Sequence, residues 1–264
     1  MADSPRRRST SGLTGCVVHK ADLRCALLLL LGASPCAWSA TANWLDVESR
    51  IEYGYFTEDA RSLDNIIDSL SGGAATDAMR SYYQGLAHYR LALLSAPQEH
   101  ERAKTAATRC TDDLGIALGQ QPDAPEALAL ESACEALLTT LQPLAPLTSV
   151  KSNARMRRAL QAAPKNPRVL LLDAVVTYER PGATPSERTR VIAQLQKSIA
   201  AFELERRQVD HAPGWGAAEA YAYLGRTYLD TGDALAARAA LEHALLIAPD
   251  FQLARRMMYR ITTG

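Results

Sequence analysis

One stretch near the C-terminus restricts the architecture more than any other. It reads Tyr221-x2-Leu224-Gly225-x2-Tyr228, then Ala237-x3-Leu241, then Ala244 and Pro249. Spacings of three and four place each set on one face of a helix. Gly225 and Ala237 are small where two helices of a hairpin would cross, which lets the axes approach. Tyr221, Leu224, Tyr228 and Leu241 are large enough to fill the space on either side. Gly232-Asp233 supplies the turn, with Asp233 as an N-cap for the second helix. Pro249 stops that helix.

In this order and spacing, residues 218–251 resemble a tetratricopeptide repeat, whose unit is about 34 residues long. Weaker copies lie upstream: Trp44, Val47, Ile51, Ala60 and Ile67 follow the same order. Cys110, Leu114, Ala117 and Pro122 match a second-helix half, as do Met156, Ala159 and Pro164. The resemblance implies an all-α superhelix, a solenoid of about five antiparallel helix hairpins closed by a C-terminal capping helix. Neighbouring hairpins bury each other's faces, so residues 43–264 are expected to form one repeat domain.

Caps and breakers place the helices at 43–55, 57–70, 77–94, 99–119, 124–141, 149–163, 167–179, 185–205, 215–230, 234–248 and 250–261. Thr57, Thr76, Asp123, Asn166 and Thr184 are the expected N-caps, and Pro167 and Pro185 suit first helical positions. Thr184-Pro185-Ser186-Glu187 reads as a capping box. Residues 206–214 read as a flexible joint. Composition agrees with this design. The 264 residues include 46 Ala, the best helix former and a residue that permits close helix packing.

Residues 1–42 read as an address. Arg6, Arg7, Arg8, Lys20 and Arg24 precede an apolar run from Cys25 to Ala33, and Ala40-Thr41-Ala42 follows. This is the order of a secretory signal peptide, cut before Asn43 or, as a second option, before Ala40. Ser9-Thr10-Ser11 after the arginines departs from a twin-arginine signal, and Pro35 before Cys36 departs from a lipoprotein anchor. An uncleaved anchor in the inner membrane remains an alternative, because Cys25 to Leu45 carries no charge. The expected location is therefore the periplasm. A bacterial origin is suggested by the leader and by 24 Arg against 5 Lys. The neutral whole chain (29 basic, 29 acidic) becomes mildly acidic without the leader, at 24 basic and 27 acidic residues. That balance argues against nucleic acid as a partner.

Removal of the leader would leave two of the five cysteines, Cys110 and Cys134. They fall on helices 99–119 and 124–141. In an antiparallel hairpin centred near residue 122 they stand opposite each other, as a disulfide requires. Burial as two small packing residues is the other reading of the pair.

Motifs for chemistry are missing. His100-Glu101 begins a zinc-protease motif, but Lys104 stands where its second histidine belongs. His88, His211 and His243 are scattered, and Asp112-Asp113 point in different directions on a helix. Arg155, Arg157 and Arg158 read as a solvated face, with contact to an acidic partner or lipid headgroups as the other reading. No catalytic residues, metal site or cofactor are expected.

Tetratricopeptide solenoids bind peptides or partner proteins on the concave surface made by the first helix of each hairpin. Carried onto the C-terminal unit, that surface comprises Glu219, Ala222, Arg226 and Leu229, with Tyr82 and Tyr89 adding aromatic contacts or serving as core. Ala222 occupies a position that the family's carboxylate-clamp members fill with a polar residue, so such a clamp is not expected. The expected function is a non-catalytic scaffold or adaptor that binds a protein or peptide of the bacterial cell envelope. The alternative is a carrier of a small apolar ligand between hairpins, which an enclosed cavity would favour over an open trough. Membrane contact is expected only if the N-terminal segment is uncleaved.

Overall fold

Helix starts along this chain are set by short polar side chains and prolines, and a computed structural model shows what they produce. It describes residues 43–72, 77–142, 146–182, 184–206 and 213–263. The chain divides into two units, Met1–Ala40 and Thr41–Gly264, and the described residues all belong to the second. The expected signal segment 1–42, the Thr76 cap and most of the 206–214 joint lie outside them.

Eleven α-helices run through the described residues: α1 (Trp44–Phe56), α2 (Ala60–Ser71), α3 (Ala78–Ser95), α4 (His100–Gln120), α5 (Pro125–Leu141), α6 (Pro146–Ala162), α7 (Pro167–Tyr178), α8 (Pro185–Glu205), α9 (Ala217–Asp230), α10 (Ala234–Ile247) and α11 (Gln252–Thr263). The order is five antiparallel hairpins and a final helix, an all-α superhelix. Asn166 and Asp233 cap α7 and α10 through their side chains, and Thr184 and Glu187 form the capping box of α8.

Two caps differ from expectation. Thr57 ends α1 instead of starting α2, and its hydroxyl donates back to the Tyr53 carbonyl at 2.7 Å. The chain then reverses through Glu58 at φ 58° before Asp59 caps α2. Asp123 lies one residue outside the start of α5, where Ala124 is the N-cap and Pro125 takes the first turn. The missing proline N–H leaves one donor fewer to satisfy there. Asp77 caps α3.

Within the hairpins one contact recurs. A Cβ placed on Gly225 would lie 2.7 Å from Leu241 Cγ, and one on Gly85 would lie 2.7 Å from Leu114 Cγ. Gly54 stands in the same relation to Leu63, at 3.2 Å from Cδ2. In each case a glycine on the first helix admits a leucine from the second, the close crossing anticipated at Gly225. Cys110 and Cys134 pair as a disulfide that ties α4 to α5, with Cα atoms 6.2 Å apart.

The superhelix curls tightly enough for its distant helices to meet. Tyr55 and Phe56 at the end of α1 pack against Phe251 before α11, with ring centroids 5.8 and 4.5 Å away. Glu58, in the left-handed turn after α1, receives two hydrogen bonds from Arg256 on α11. Between α8 and α9 the chain dives inward. The Gly214 N–H donates to Glu48 of α1 at 2.9 Å, and Trp215, 3% exposed, donates its indole N–H to Tyr82. Gly216 follows at φ 108°, with Leu171 and Phe202 each 2.9 Å from the place its Cβ would take. The joint expected at 206–214 thus ends in a buried anchor. No helix among the described residues is long and apolar enough to cross a membrane.

Candidate functional site

The first helices of the hairpins face inward, and their C-terminal halves surround a trough of about 1740 Å³. Apolar side chains come from five helices, Leu93 and Leu94 from α3, Leu137 from α5, Val176 from α7, Leu229 from α9, and Leu253, Met257 and Ile261 from α11, with Thr139, Thr140, Ser152 and Asn153 beside them. The α11 residues recur at intervals of four, so one stripe of that helix faces the trough. Tyr55, Tyr89, Tyr178 and Tyr223 form an aromatic floor. Charged groups stand at the rim, Arg180, Arg226, Arg256 and Arg260 against Glu58, Glu99, Glu179 and Asp230.

Several rim charges are already paired. Arg226 donates to Glu179 at 2.9 Å, and its guanidinium lies 4.7 Å from the Tyr178 ring centroid. Arg188 approaches the same ring at 4.1 Å, while the Tyr178 hydroxyl donates to Asp230 at 2.6 Å. Arg256 holds Glu58 and Arg255 holds Asp250. Arg260 has no ion pair among the described residues.

Below the floor lies a buried charge cluster. Arg90, with no exposed surface, donates to Glu52 of α1 through Nε at 3.0 Å and to Glu219 of α9 through Nη1 at 2.5 Å. Its guanidinium also sits 4.5 Å from the Tyr55 ring centroid and 5.0 Å from that of Trp215. Burial favours the neutral carboxylic acid and raises Glu52 to about 8, although Arg90 works against the rise. Glu219 shifts up for the same reason. Burial alone would lower Arg90, but the two carboxylates outweigh it and hold the guanidinium charged. One oxygen of Glu52 is sealed in without a hydrogen-bond partner. A second buried arginine, Arg168, ties α7 to Glu126 of α5 and Glu205 of α8.

The residues expected in the groove separate into two groups. Arg226, Leu229 and Tyr89 line the trough. Glu219 (3% exposed), Ala222 (1%) and Tyr82 (5%) lie inside the protein, where Glu219 pairs with Arg90 and Tyr82 meets Trp215. Motif-level reasoning missed Tyr55, Tyr223 and the α11 stripe. The spacing Leu253, Met257, Ile261 was the available signal for the stripe. Elsewhere, His88 lies 2.7 Å from Asp113, and His243 stacks on Tyr221. Arg155 is held by Glu131 and Glu135, and Arg158 by Asp123, which partly neutralises the basic face of α6. His211 lies outside the described residues.

No family model matches the chain, and no curated protein matches it by sequence. Among solved structures, it is similar to the HusA haemophore from Porphyromonas gingivalis, with 19% identity and a TM-score of 0.55, over 73% of this chain and 96% of that one. A second similar structure is the Assembly Chaperone of RpL4 (Acl4), with 14% identity and a TM-score of 0.35, over 83% of this chain and 96% of that one. The first likeness is one of fold.

Proposed function

We propose that this chain is a non-catalytic binding module of the tetratricopeptide type, exported to a bacterial periplasm, which holds a polypeptide segment of a partner in its inner trough. The observation that carries this is the trough itself. It is built from the same half of successive first helices together with α11, and aliphatic side chains from five helices line it beside polar and charged groups. Its volume of about 1740 Å³ exceeds the roughly 300–1,000 Å³ usual for a small-molecule pocket. A polypeptide of several residues suits that space, and an apolar wall with a polar rim is the usual anatomy of a protein interface.

A pull-down from envelope extract, run beside native mass spectrometry of the purified protein, tests the proposal. Wild-type protein is expected to retain a partner polypeptide that Leu229→Glu and Leu137→Glu variants lose, since each puts a carboxylate on an apolar wall. A partner retained equally by wild type and both variants contradicts it.

A second reading, a carrier of a flat apolar ligand, is favoured by the aromatic floor and by the likeness in fold to a haemophore. The trough lining contains no histidine or cysteine among the described residues; Met257, the tyrosine hydroxyls and the carboxylates of Glu58, Glu99, Glu179 and Asp230 are the donors it holds for an iron-centred ligand. A non-covalent mass increment of a few hundred daltons in the native spectrum would favour this reading over the first.

A further inference from the structure

Three tyrosines of the trough floor share a property that separates them from the other buried tyrosines. Tyr82, Tyr83 and Tyr178 each use the hydroxyl inside the protein, to Trp215, Glu48 and Asp230. Tyr55, Tyr89 and Tyr223 do not. Their exposures are 6%, 3% and 6%, so the rings are packed in the core, yet no hydroxyl among them has a hydrogen-bond partner among the described residues. None of the three is a sealed, unsatisfied atom either. All three residues line the trough, and none of their hydroxyls is spent on another side chain among the described residues. They come from α1, α3 and α9 and are close enough for each pair to interact electrostatically.

Polar groups placed on an apolar floor call for a partner, since a buried hydroxyl without one costs stability when a ligand displaces its water. The surroundings restrict what that partner can be. Beneath the floor the Arg90 charge is taken up by Glu219 and by Glu52, which burial keeps protonated near neutral pH, and Glu179 acts on Tyr89 and Tyr223. The floor offers an anionic group no free positive charge. Burial also keeps the three phenols protonated well past neutral pH, so they remain neutral donors. The α11 rim has the opposite character. The helix carries Arg255, Arg256 and Arg260 and no acidic residue.

We propose that the hydroxyls of Tyr55, Tyr89 and Tyr223 form an uncharged hydrogen-bonding floor that takes the carbonyl oxygens of a bound apolar peptide segment, whose acidic flank lies against Arg260. This rests on the trough being a polypeptide site and names the chemistry of its occupant. The side chains of the segment meet the aliphatic walls, and its main chain meets the floor. Selection acts on apolarity and on the position of an acid more than on one sequence.

The test selects a phage-displayed library of 12-residue peptides on the full chain. The best binder is resynthesised with a fluorophore and measured by anisotropy against four proteins: wild type, Leu229→Glu, the triple Tyr55→Phe/Tyr89→Phe/Tyr223→Phe variant, and Tyr83→Phe. Enriched peptides are expected to carry an apolar run flanked by Asp or Glu. The triple variant is expected to weaken binding at least tenfold while its thermal midpoint stays level or rises, because the free protein loses no internal hydrogen bond. Tyr83→Phe is expected to lower the midpoint and leave binding unchanged. If Leu229→Glu abolishes binding and the triple variant does not, the floor is overturned and the trough stands. If no enriched peptide is sensitive to Leu229→Glu, both fall. A basic flank in the enriched peptides overturns the proposed orientation. Protoporphyrin binding that the triple variant removes, with no peptide enriched, assigns the floor to a small ligand and overturns the proposal.

Discussion

Arg90 on α3 and Glu219 on α9 are 129 residues apart in the chain, and the fully buried guanidinium of one grips both oxygens of the other. With Glu52 on the far side, this pair joins the first, second and fifth hairpins. A solenoid held only by nearest neighbours would be free to open or close its curl. The cluster fixes the curl, and so fixes the width of the trough above it.

Removing one member of such a buried pair strands the other charge, which typically costs about 3–5 kcal/mol. Arg90→Ala and Glu219→Ala are each expected to fall in that range by denaturant unfolding. Arg90→Met with Glu52→Gln and Glu219→Gln removes every ionisable group of the cluster and is expected to recover more than half of the loss. A single variant that loses under about 1 kcal/mol would show that the cluster does not hold the curl.

Several buried carboxyls make stability depend on pH in an uncommon direction. Burial raises Glu135 to about 7, against the pull of Arg155, and it shifts Glu131, Glu48 and Glu52 upward as well. Between the ordinary carboxylate value of 4.5 and about 7, the folded state holds the Glu135 proton and the unfolded state does not. Its contribution is complete below 4.5 and is lost as pH rises through that window, at most about 1.4 kcal/mol per pH unit for one group. Denaturant unfolding at pH 5, 6, 7 and 8 is expected to show stability falling, with a shallower slope in Glu135→Gln. A slope unchanged by that substitution would remove Glu135 as a cause.

The disulfide closes a loop with a sequence separation of 24 between Cys110 and Cys134. In the loop-entropy model such a bridge contributes about 3 kcal/mol. Reduction, or the double Cys110→Ala/Cys134→Ala variant, is expected to lower the thermal midpoint by several degrees and leave the helical circular dichroism of the folded protein unchanged. Equal midpoints with and without reductant would mean that the pair gives no such constraint.

Gly225 and Gly85 make the same prediction at two sites. A methyl on either would sit 2.7 Å from a buried leucine, Leu241 or Leu114, so Gly225→Ala and Gly85→Ala should each cost about 1–3 kcal/mol by overpacking. Gly115→Ala, on α4 with open space at its Cβ, should stabilise through helix propensity by about 1 kcal/mol. Equal effects at all three glycines would refute the crossing contact.

Local signals explain what the sequence showed. Asn166, Thr184 and Asp233 announce helix starts because capping is a contact over two or three residues. Cys110 and Cys134 could be paired because a short turn makes a hairpin symmetric about its centre. Glu219 shows the other side. Its position in a repeat suggests a groove residue, because a repeat pattern treats each hairpin alone. Its actual partner, Arg90, arrives only when the superhelix curls, and a contact across 129 residues leaves no period to read. Trp215 and Gly216 were hidden for the same reason: they were expected to open the helix 215–230, just past the joint expected at 206–214, and instead form the anchor before α9. The trough floor needs Tyr55, Tyr89 and Tyr223 from three hairpins, so no single unit displays it.

The most direct test of the central claim places a photo-crosslinking amino acid at Leu229, inside the trough, and in a second protein at Leu246, on the exposed outer face of α10. After irradiation in envelope extract, the trough position is expected to give a discrete polypeptide adduct that the outer position does not. Adducts of the same mass from both positions, or from Leu246 alone, would contradict the assignment of the trough as the site that holds a partner.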